Sequence, residues 1–131
     1  MLVEDDTVDV MTVKRALKEI NVTNRLIVAS DGEEALSYLM DEMNKRPGII
    51  LLDLNMPRMS GIEFLVAAKK NGVLKSIPVV VLTTSREEQD KVDSFGLGVA
   101  GYMVKPVSYA QFVEVMKTIN LYWTLSELPE G

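Results

Sequence analysis

Four polar groups directly follow apolar runs of this sequence, and they are the residues best placed to do chemistry. Asp53 follows the aliphatic run 49–52, and the other three are the acidic run 4–6, Thr83 and Lys105. Short aliphatic runs bounded by turn residues are typical of strands buried on both faces of a parallel sheet. Such sheets bind ligands outside the carboxyl ends of their strands, where all four groups would lie. The spacing therefore predicts one site built from several strand ends.

Asp53 taken alone fits two interpretations. A carboxylate at a buried strand end needs a metal ion, a cation or a proton to compensate its charge. The same residue could instead cap a helix or lie in a solvated turn, and the stretch 49–57 by itself favours neither interpretation.

Two absent residue types narrow the chemistry. The chain has no histidine and no cysteine. This excludes Ser-His-Asp and Cys-His catalysis, histidine or thiolate metal sites, and disulfides. Carboxylates remain, and up to four of them would meet at the predicted site, from Glu4, Asp5, Asp6 and Asp53. So many negative charges require a counterion, and oxygen ligands favour a hard cation, for which Mg²⁺ is well suited.

Length and composition favour one ordinary domain. The chain has 131 residues, of which 47% are hydrophobic and 25% charged. No apolar run approaches the roughly 18 residues of a membrane helix, and the acidic start is unlike a signal peptide. We therefore expect a cytoplasmic protein without a membrane partner. A net charge of -5 without a basic run argues against direct binding of nucleic acid.

Strand-like and helix-like segments alternate five times along the chain. The strands are expected at residues 2–3, 26–29, 49–52, 78–82 and 99–104. The helices are expected from 6 or 7 to 20, and at 33–43, 62–70, 87–94 and 111–121. Side chains expected on inner helix faces include Val10, Val13, Leu17, Ile20, Leu36, Leu39, Met40, Met43, Phe112, Val115, Met116 and Ile119. The alternation predicts an α/β fold with a five-stranded parallel, doubly wound (βα)5 sheet and helices on both faces.

Four motifs, in this order, resemble the receiver domain of two-component signalling. They are Val3-Glu4-Asp5, Leu52-Asp53-Leu54-Asn55-Met56-Pro57 with Gly61, Leu82-Thr83, and Tyr102-Met103-Val104-Lys105-Pro106. The resemblance covers residues 1 to about 120. It implies a flavodoxin-like fold and a module that accepts a phosphoryl group from a histidine kinase. We therefore expect a receiver domain at residues 1–121 and a tail at 122–131, with no separate output domain.

The resemblance also implies residue roles. Asp53 would be the nucleophile that becomes an acyl phosphate. Asp5 and Asp53 would ligate Mg²⁺ directly, together with the backbone carbonyl of Asn55, and Glu4 would act through water. Lys105 would pair with Asp53 at rest and with a phosphoryl oxygen afterwards. Its bond to the following proline is usually cis in the family.

Two further residues would form a switch. By resemblance, Thr83 would donate its hydroxyl to the phosphoryl group and move toward it, and Tyr102 would swing inward to fill the space left. Without the other motifs, Tyr102 fits a half-buried strand aromatic equally well. Asp6 lies outside the motif pair, and we expect it to cap the first helix rather than to bind metal.

Two features depart from the family's usual pattern. Thr84 stands where receivers often have a small residue, and its branched side chain would narrow the pocket. The interval from Asp5 to Asp53 is longer than in minimal receivers, with the surplus expected near residues 41–47. Together with the tail 121–123, these features resemble stand-alone receivers paired with bacterial phytochrome kinases. Trp123 could either pack on the last helix or form a homodimer contact with the fourth helix, fifth strand and fifth helix.

Three functions remain as hypotheses. The first is a non-enzymatic relay that carries a phosphoryl group on Asp53 and passes the signal on by protein contact. The second is an aspartyl-phosphate hydrolase of small molecules, although such enzymes require an acid two residues after the nucleophile, where this chain has Asn55. The third is a scaffold of the same fold that is no longer phosphorylated, and the intact set of Asp53, Thr83 and Lys105 speaks against it.

Overall fold

The buried aliphatic runs form a five-stranded sheet. The computed structural model describes residues 1–19, 26–56, 58–72, 74–106 and 108–117. The strands are β1 (Leu2–Val3), β2 (Val28–Ala29), β3 (Ile50–Asp53), β4 (Val79–Thr83) and β5 (Gly101–Val104). The helices are α1 (Thr7–Glu19), α2 (Gly32–Met40), α3 (Gly61–Lys70) and α4 (Arg86–Ser94), followed by α5 at 109–117, with a 3₁₀ turn at Leu74–Ser76.

All neighbouring strands of the sheet run parallel, in the order β2-β1-β3-β4-β5. The chain passes from β1 outward to β2 and then returns to place β3 on the other side of β1. The strand order therefore reverses between β1 and β3, which is where ligands bind in sheets of this kind. The predicted doubly wound α/β fold is confirmed.

Two separate apolar layers cover the sheet. Successive strand residues point to opposite faces, so Leu52 and Val81 pack with α2, α3 and α4, whereas Leu51 and Val80 pack with α1 and α5. Phe64 fills the first layer and Phe112 the second, and both are fully buried. The rigid sheet between the two layers fixes where its strand ends lie.

The second helix ends earlier than predicted. Helix α2 stops at Met40, and Asp41 has an extended backbone, with its N–H donating to the carbonyl of Tyr38. The predicted inward positions of Met40 and Met43 are wrong, because these side chains are 59% and 90% exposed. The surplus length near residues 41–47 therefore forms a longer loop rather than a longer helix.

The buried face of the first helix, α1, differs from the predicted one. Its buried residues are Asp9, Val13 and Ala16, whereas the predicted Val10 and Leu17 lie at the edge of the core. Asp6 caps this helix as expected, since its Oδ1 accepts hydrogen bonds from the N–H groups of Val8 at 2.8 Å and of Asp9 at 3.3 Å. The predicted inward positions of Ile20 and Ile119 and the whole tail 122–131 lie outside the described residues.

No described helix combines the length and the apolarity that crossing a membrane requires.

Gly61 lets α3 begin directly against the end of β3. Its N–H donates to the carbonyl of Leu54 at 3.1 Å. A Cβ at this position would lie 2.5 Å from the carbonyl oxygen of Asp53 and 2.6 Å from the Cα of Leu54. Both are backbone atoms, which cannot rotate away as a flexible side chain could. The missing side chain thus keeps the β3–α3 connection close to the strand end.

We predict that Gly61→Ala lowers the free energy of unfolding by about 3 kcal/mol, because the added methyl group overlaps backbone that must shift. Gly101→Ala is the matched control, since a Cβ there meets nothing within 4 Å. The control should change stability by less than about 1 kcal/mol. Urea unfolding measures both, and equal stability of the two variants would contradict the close approach at Gly61.

Candidate functional site

Three carboxylates meet at the switch point of the sheet. The register pairs Leu2 with Leu51 and Val3 with Leu52, so the residues that follow β1 lie beside the end of β3. One carboxylate oxygen from each of Glu4, Asp5 and Asp53 lies within 4.8 Å of the others. Glu4 and Asp53 are both 1% exposed, whereas Asp5 is open to solvent. The cluster thus has two buried members and one accessible member.

Lys105 lies among these acids. Its Nζ is 3.0 Å from Glu4 Oε2 and 3.3 Å from Asp53 Oδ2. The backbone N–H of Lys105 donates to the carbonyl of Thr83 at 2.8 Å, which fixes the residue at the end of β5. The bond from Lys105 to Pro106 is cis. The structure thus places this lysine beside Asp53, as the resemblance implied.

A fourth acid, Asp9, also contacts the lysine. Its Oδ2 is 3.4 Å from Lys105 Nζ, and the residue is 3% exposed. Asp9 was missed from the sequence because the inner face of α1 was assigned by its apolar residues. The spacing of Asp9 could have identified it as an inward residue. Asp9 precedes Val13 by four positions and Ala16 by seven, which puts all three on one helix face.

Burial governs the charges of this cluster. It raises the pKa of the Glu4 carboxyl to about 7, because lost hydration outweighs the hydrogen bonds from the Asp6 N–H and from Lys105. Burial alone would lower the pKa of Lys105, but the hydrogen bond to Glu4 and the charges of Asp53 and Glu4 raise it. The lysine therefore stays a cation.

The donor set fits a divalent cation. Within the described residues, Glu4 Oε2 and Asp53 Oδ2 are buried oxygens that accept no hydrogen bond, and both face Lys105 as ion pairs. Asp5 adds an exposed carboxylate beside them. Hard cations prefer such oxygen ligands. The acidic cluster is therefore a candidate metal site.

Thr83 lies fully buried at the end of β4, and its hydroxyl is already engaged. The Oγ1 is 2.7 Å from Glu88 Oε1 and 2.9 Å from the carbonyl of Ser85. Thr84 is exposed, and its N–H and Oγ1 also bind Glu88, at 2.7 and 3.1 Å. Glu88 was missed from the sequence, since nothing in its spacing separates it from an ordinary first-turn acid of a helix.

Asn55 connects the loop after β3 to the same glutamate. Its Nδ2 donates to Glu88 Oε2 at 2.7 Å, and its backbone N–H donates to Asp53 Oδ1 at 3.2 Å. Asn55 is thus in contact with the central aspartate through its backbone and with α4 through its side chain.

Tyr102 is directed toward α4. Its hydroxyl donates to Asp93 Oδ1 at 2.7 Å, and its ring packs at the edge of the apolar layer. Burial together with the Asp93 carboxylate raises the pKa of Tyr102 to about 12. This position is compatible with either of the two roles expected for it.

The fold and the site together define a doubly wound α/β domain with an acidic centre, a candidate metal site, at its strand ends. The family model for the response regulator receiver domain matches residues 1–117. The response regulator Rcp1 of Synechocystis sp. is 39% identical over 127 residues, which cover 94% of this chain and 86% of Rcp1. The chain therefore belongs to the response regulator receiver family.

Solved structures agree with this assignment. The Mn²⁺-bound form of Rcp1 matches with a TM-score of 0.77 and 39% identity, covering 93% of this chain and 91% of that chain. The phosphorylated cyanobacterial phytochrome response regulator RcpA also matches with a TM-score of 0.77, at 38% identity, covering 94% and 91%. The expected receiver fold and its similarity to phytochrome response regulators are confirmed.

We predict that Lys105→Met lowers the free energy of unfolding by about 3 kcal/mol near neutral pH, because buried carboxylates lose their cation. Lys70→Met is the control, since Lys70 is an exposed lysine in the last turn of α3 and should change stability by about 0.5 kcal/mol or less. Urea unfolding without divalent metal measures both. Equal effects would show that the cluster does not depend on this lysine.

Proposed function

We propose that this receiver is a stand-alone response regulator that accepts a phosphoryl group on Asp53 from a sensor histidine kinase. The observation that carries the proposal is the placement of a buried Asp53 carboxylate 3.3 Å from the Lys105 ammonium and beside Glu4 and Asp5. The protein would catalyse its own phosphorylation and dephosphorylation rather than the turnover of a separate substrate.

The transfer is a simple displacement. A carboxylate oxygen of Asp53 attacks the phosphorus of a phosphohistidine, the new P–O bond forms as the P–N bond breaks, and the imidazole leaves and takes up a proton. Such transfers depend mainly on positioning and on neutralising the phosphoryl oxygens. Lys105 is placed for the second task, since its ammonium already contacts Asp53 and can pair with a phosphoryl oxygen.

We propose Mg²⁺ as the metal of this site. Asp5 and Asp53 would bind it directly, with the backbone carbonyl of Asn55 as a third ligand. Glu4 would act through water, in keeping with its burial and its ion pair with Lys105. The ion would supply positive charge to the phosphoryl oxygens. The related receiver Rcp1 has a solved Mn²⁺-bound form, which supports a divalent cation at a receiver of this type.

The relatives supply the proposed partner. RcpA is a phytochrome response regulator, so we propose a phytochrome-type histidine kinase as the donor, in the cytoplasm.

Residues 1–121 would form the receiver and 122–131 a tail, with output by protein contact rather than through nucleic acid or a membrane. Exposed Phe95 just after α4, Val104 on β5 and Tyr109 on α5 support the proposed homodimer face.

Thr83 and Tyr102 would form the switch. Thr83 Oγ1 would leave its present acceptors and donate to the phosphoryl group. Tyr102 would then leave Asp93 and turn inward. The coupling is a local change of charge that biases two arrangements of the same side chains.

We predict that acetyl phosphate or a phosphorylated kinase adds one phosphoryl group to the wild type in the presence of Mg²⁺, and that Asp53→Asn abolishes the addition, because an amide is not a nucleophile. Asp41→Asn makes the same chemical change at an exposed aspartate and should be phosphorylated normally. Intact-protein mass spectrometry reads the product.

Two other results would support the competing functions. Steady release of phosphate from small phosphorylated metabolites would indicate a hydrolase. A wild-type protein that takes up no phosphoryl group from any donor would indicate a scaffold.

We predict that Mg²⁺ at about tenfold its Kd raises the free energy of unfolding by about 1.4 kcal/mol, because the ion binds the folded acidic cluster. Asp5→Asn should remove most of this gain. Asp6→Asn is the control, since an asparagine can keep the helix cap and Asp6 is not among the proposed ligands. Thermal or urea unfolding with and without Mg²⁺ measures the effect, and equal losses in both variants would argue against direct ligation by Asp5.

A further inference from the structure

Glu88 binds four polar groups of Thr83, Thr84 and Asn55 beside the proposed phosphoryl site. Its Oε1 accepts from Thr83 Oγ1 at 2.7 Å, from the Thr84 N–H at 2.7 Å and from Thr84 Oγ1 at 3.1 Å. Its Oε2 accepts from Asn55 Nδ2 at 2.7 Å. The carboxylate therefore joins α4 to the ends of both β3 and β4, and the amide of Asn55 holds it in place.

This arrangement differs from the ordinary use of a glutamate in the first turn of a helix. At the start of α3, Ser60 and Glu63 form a capping box, in which Glu63 Oε1 accepts from the Ser60 N–H at 3.3 Å. At the start of α4, the corresponding N–H of Ser85 donates to Thr83 Oγ1 instead, at 3.2 Å. The Glu88 carboxylate extends beyond the cap residue and binds the switch threonine.

The hydroxyl of Thr83 can donate fully to only one acceptor. The Ser85 carbonyl lies 2.9 Å from Oγ1, but the Glu88 carboxylate is closer, at 2.7 Å, and as a charged group it is the stronger acceptor. A threonine hydroxyl carries one proton, so donation to Glu88 excludes donation to a phosphoryl oxygen on Asp53. A hydrogen bond to an ionised carboxylate is also roughly twice as strong as one between neutral groups. A phosphoryl group that recruits Thr83 must therefore compete with Glu88.

The donors around Glu88 favour its charged form. Its carboxylate oxygens accept from Thr83 Oγ1, from the N–H and Oγ1 of Thr84 and from Asn55 Nδ2, and such hydrogen bonds stabilise an ionised carboxylate.

We propose that Glu88 is a positioning residue that holds the Thr83 hydroxyl in the unphosphorylated state, so that binding of a phosphoryl group requires Glu88 to release it. The inference rests on the proposed phosphorylation of Asp53 and adds a residue that opposes the switch. Glu88 thereby sets the free energy that the bound phosphoryl group must supply before Thr83 moves.

The test uses beryllofluoride, which mimics a phosphoryl group on an aspartate, titrated into the full chain at saturating Mg²⁺. Glu88→Gln keeps the side-chain length but removes the charge, and we expect it to bind beryllofluoride about tenfold more tightly than the wild type. Glu87→Gln is the matched control, because it removes the same charge from the same exposed helical turn. It should change the affinity by less than about twofold.

A Thr83→Ala background separates the proposed role from a general effect of charge or capping. In this background Glu88 can still bind Thr84 and Asn55, but residue 83 has no hydroxyl for it to hold, so Glu88→Gln should then change beryllofluoride affinity by less than about twofold. Glu88→Ala provides a second release variant, and urea unfolding shows that each variant is folded. Isothermal titration calorimetry measures all the affinities.

The outcomes distinguish this inference from the proposed function. Equal affinities for Glu88→Gln and Glu87→Gln, or a gain that persists without the Thr83 hydroxyl, would overturn the role of Glu88 and leave phosphorylation of Asp53 intact. A wild type that binds no beryllofluoride and accepts no phosphoryl group from acetyl phosphate would overturn both.

Discussion

The contact between one partly buried ammonium and several buried carboxylates determines how this site works. Lys105 Nζ lies between 3.0 and 3.4 Å from oxygens of Glu4, Asp53 and Asp9. One cation cannot neutralise three ionised acids, so the centre is either partly protonated or negatively charged. The raised pKa of Glu4 favours partial protonation of the cluster. A bound divalent cation would compensate the charge in another way, because added positive charge lets the same acids ionise.

The sheet makes this costly arrangement possible. Parallel pairing of β1 with β3 brings Glu4 beside Asp53, and pairing of β4 with β5 brings Lys105 beside Thr83. The apolar layers on both faces hold these strands rigidly, so the acids cannot relax apart. Clustered like charges lower stability, and proteins retain such clusters where function needs them. The core thus supports a site that is unfavourable by itself.

The sequence was informative where strand ends decide the geometry. Asp53 and Lys105 follow aliphatic runs, and a parallel sheet places the residues that follow its strands at one edge, where these two side chains are in contact. The sequence was less informative where the position of a side chain depends on which face of a helix is buried or on its rotamer. A carboxylate on an inner helix face contradicts the usual apolar pattern, so that pattern does not predict Asp9. The spacing of Met43 predicts an inward side chain only because it continues a helix that Asp41 ends.

Glu88 illustrates the remaining limit. A serine followed three residues later by a glutamate has the same pattern at 60–63 and at 85–88. In the first case the glutamate binds the cap residue, and in the second it binds Thr83 and Asn55. The difference arises because α4 begins beside the ends of β3 and β4, where the hydroxyl of Thr83 and the amide of Asn55 lie within hydrogen-bond distance of the carboxylate. Local sequence specifies that a helix starts there, whereas the tertiary arrangement decides which groups its first acid binds.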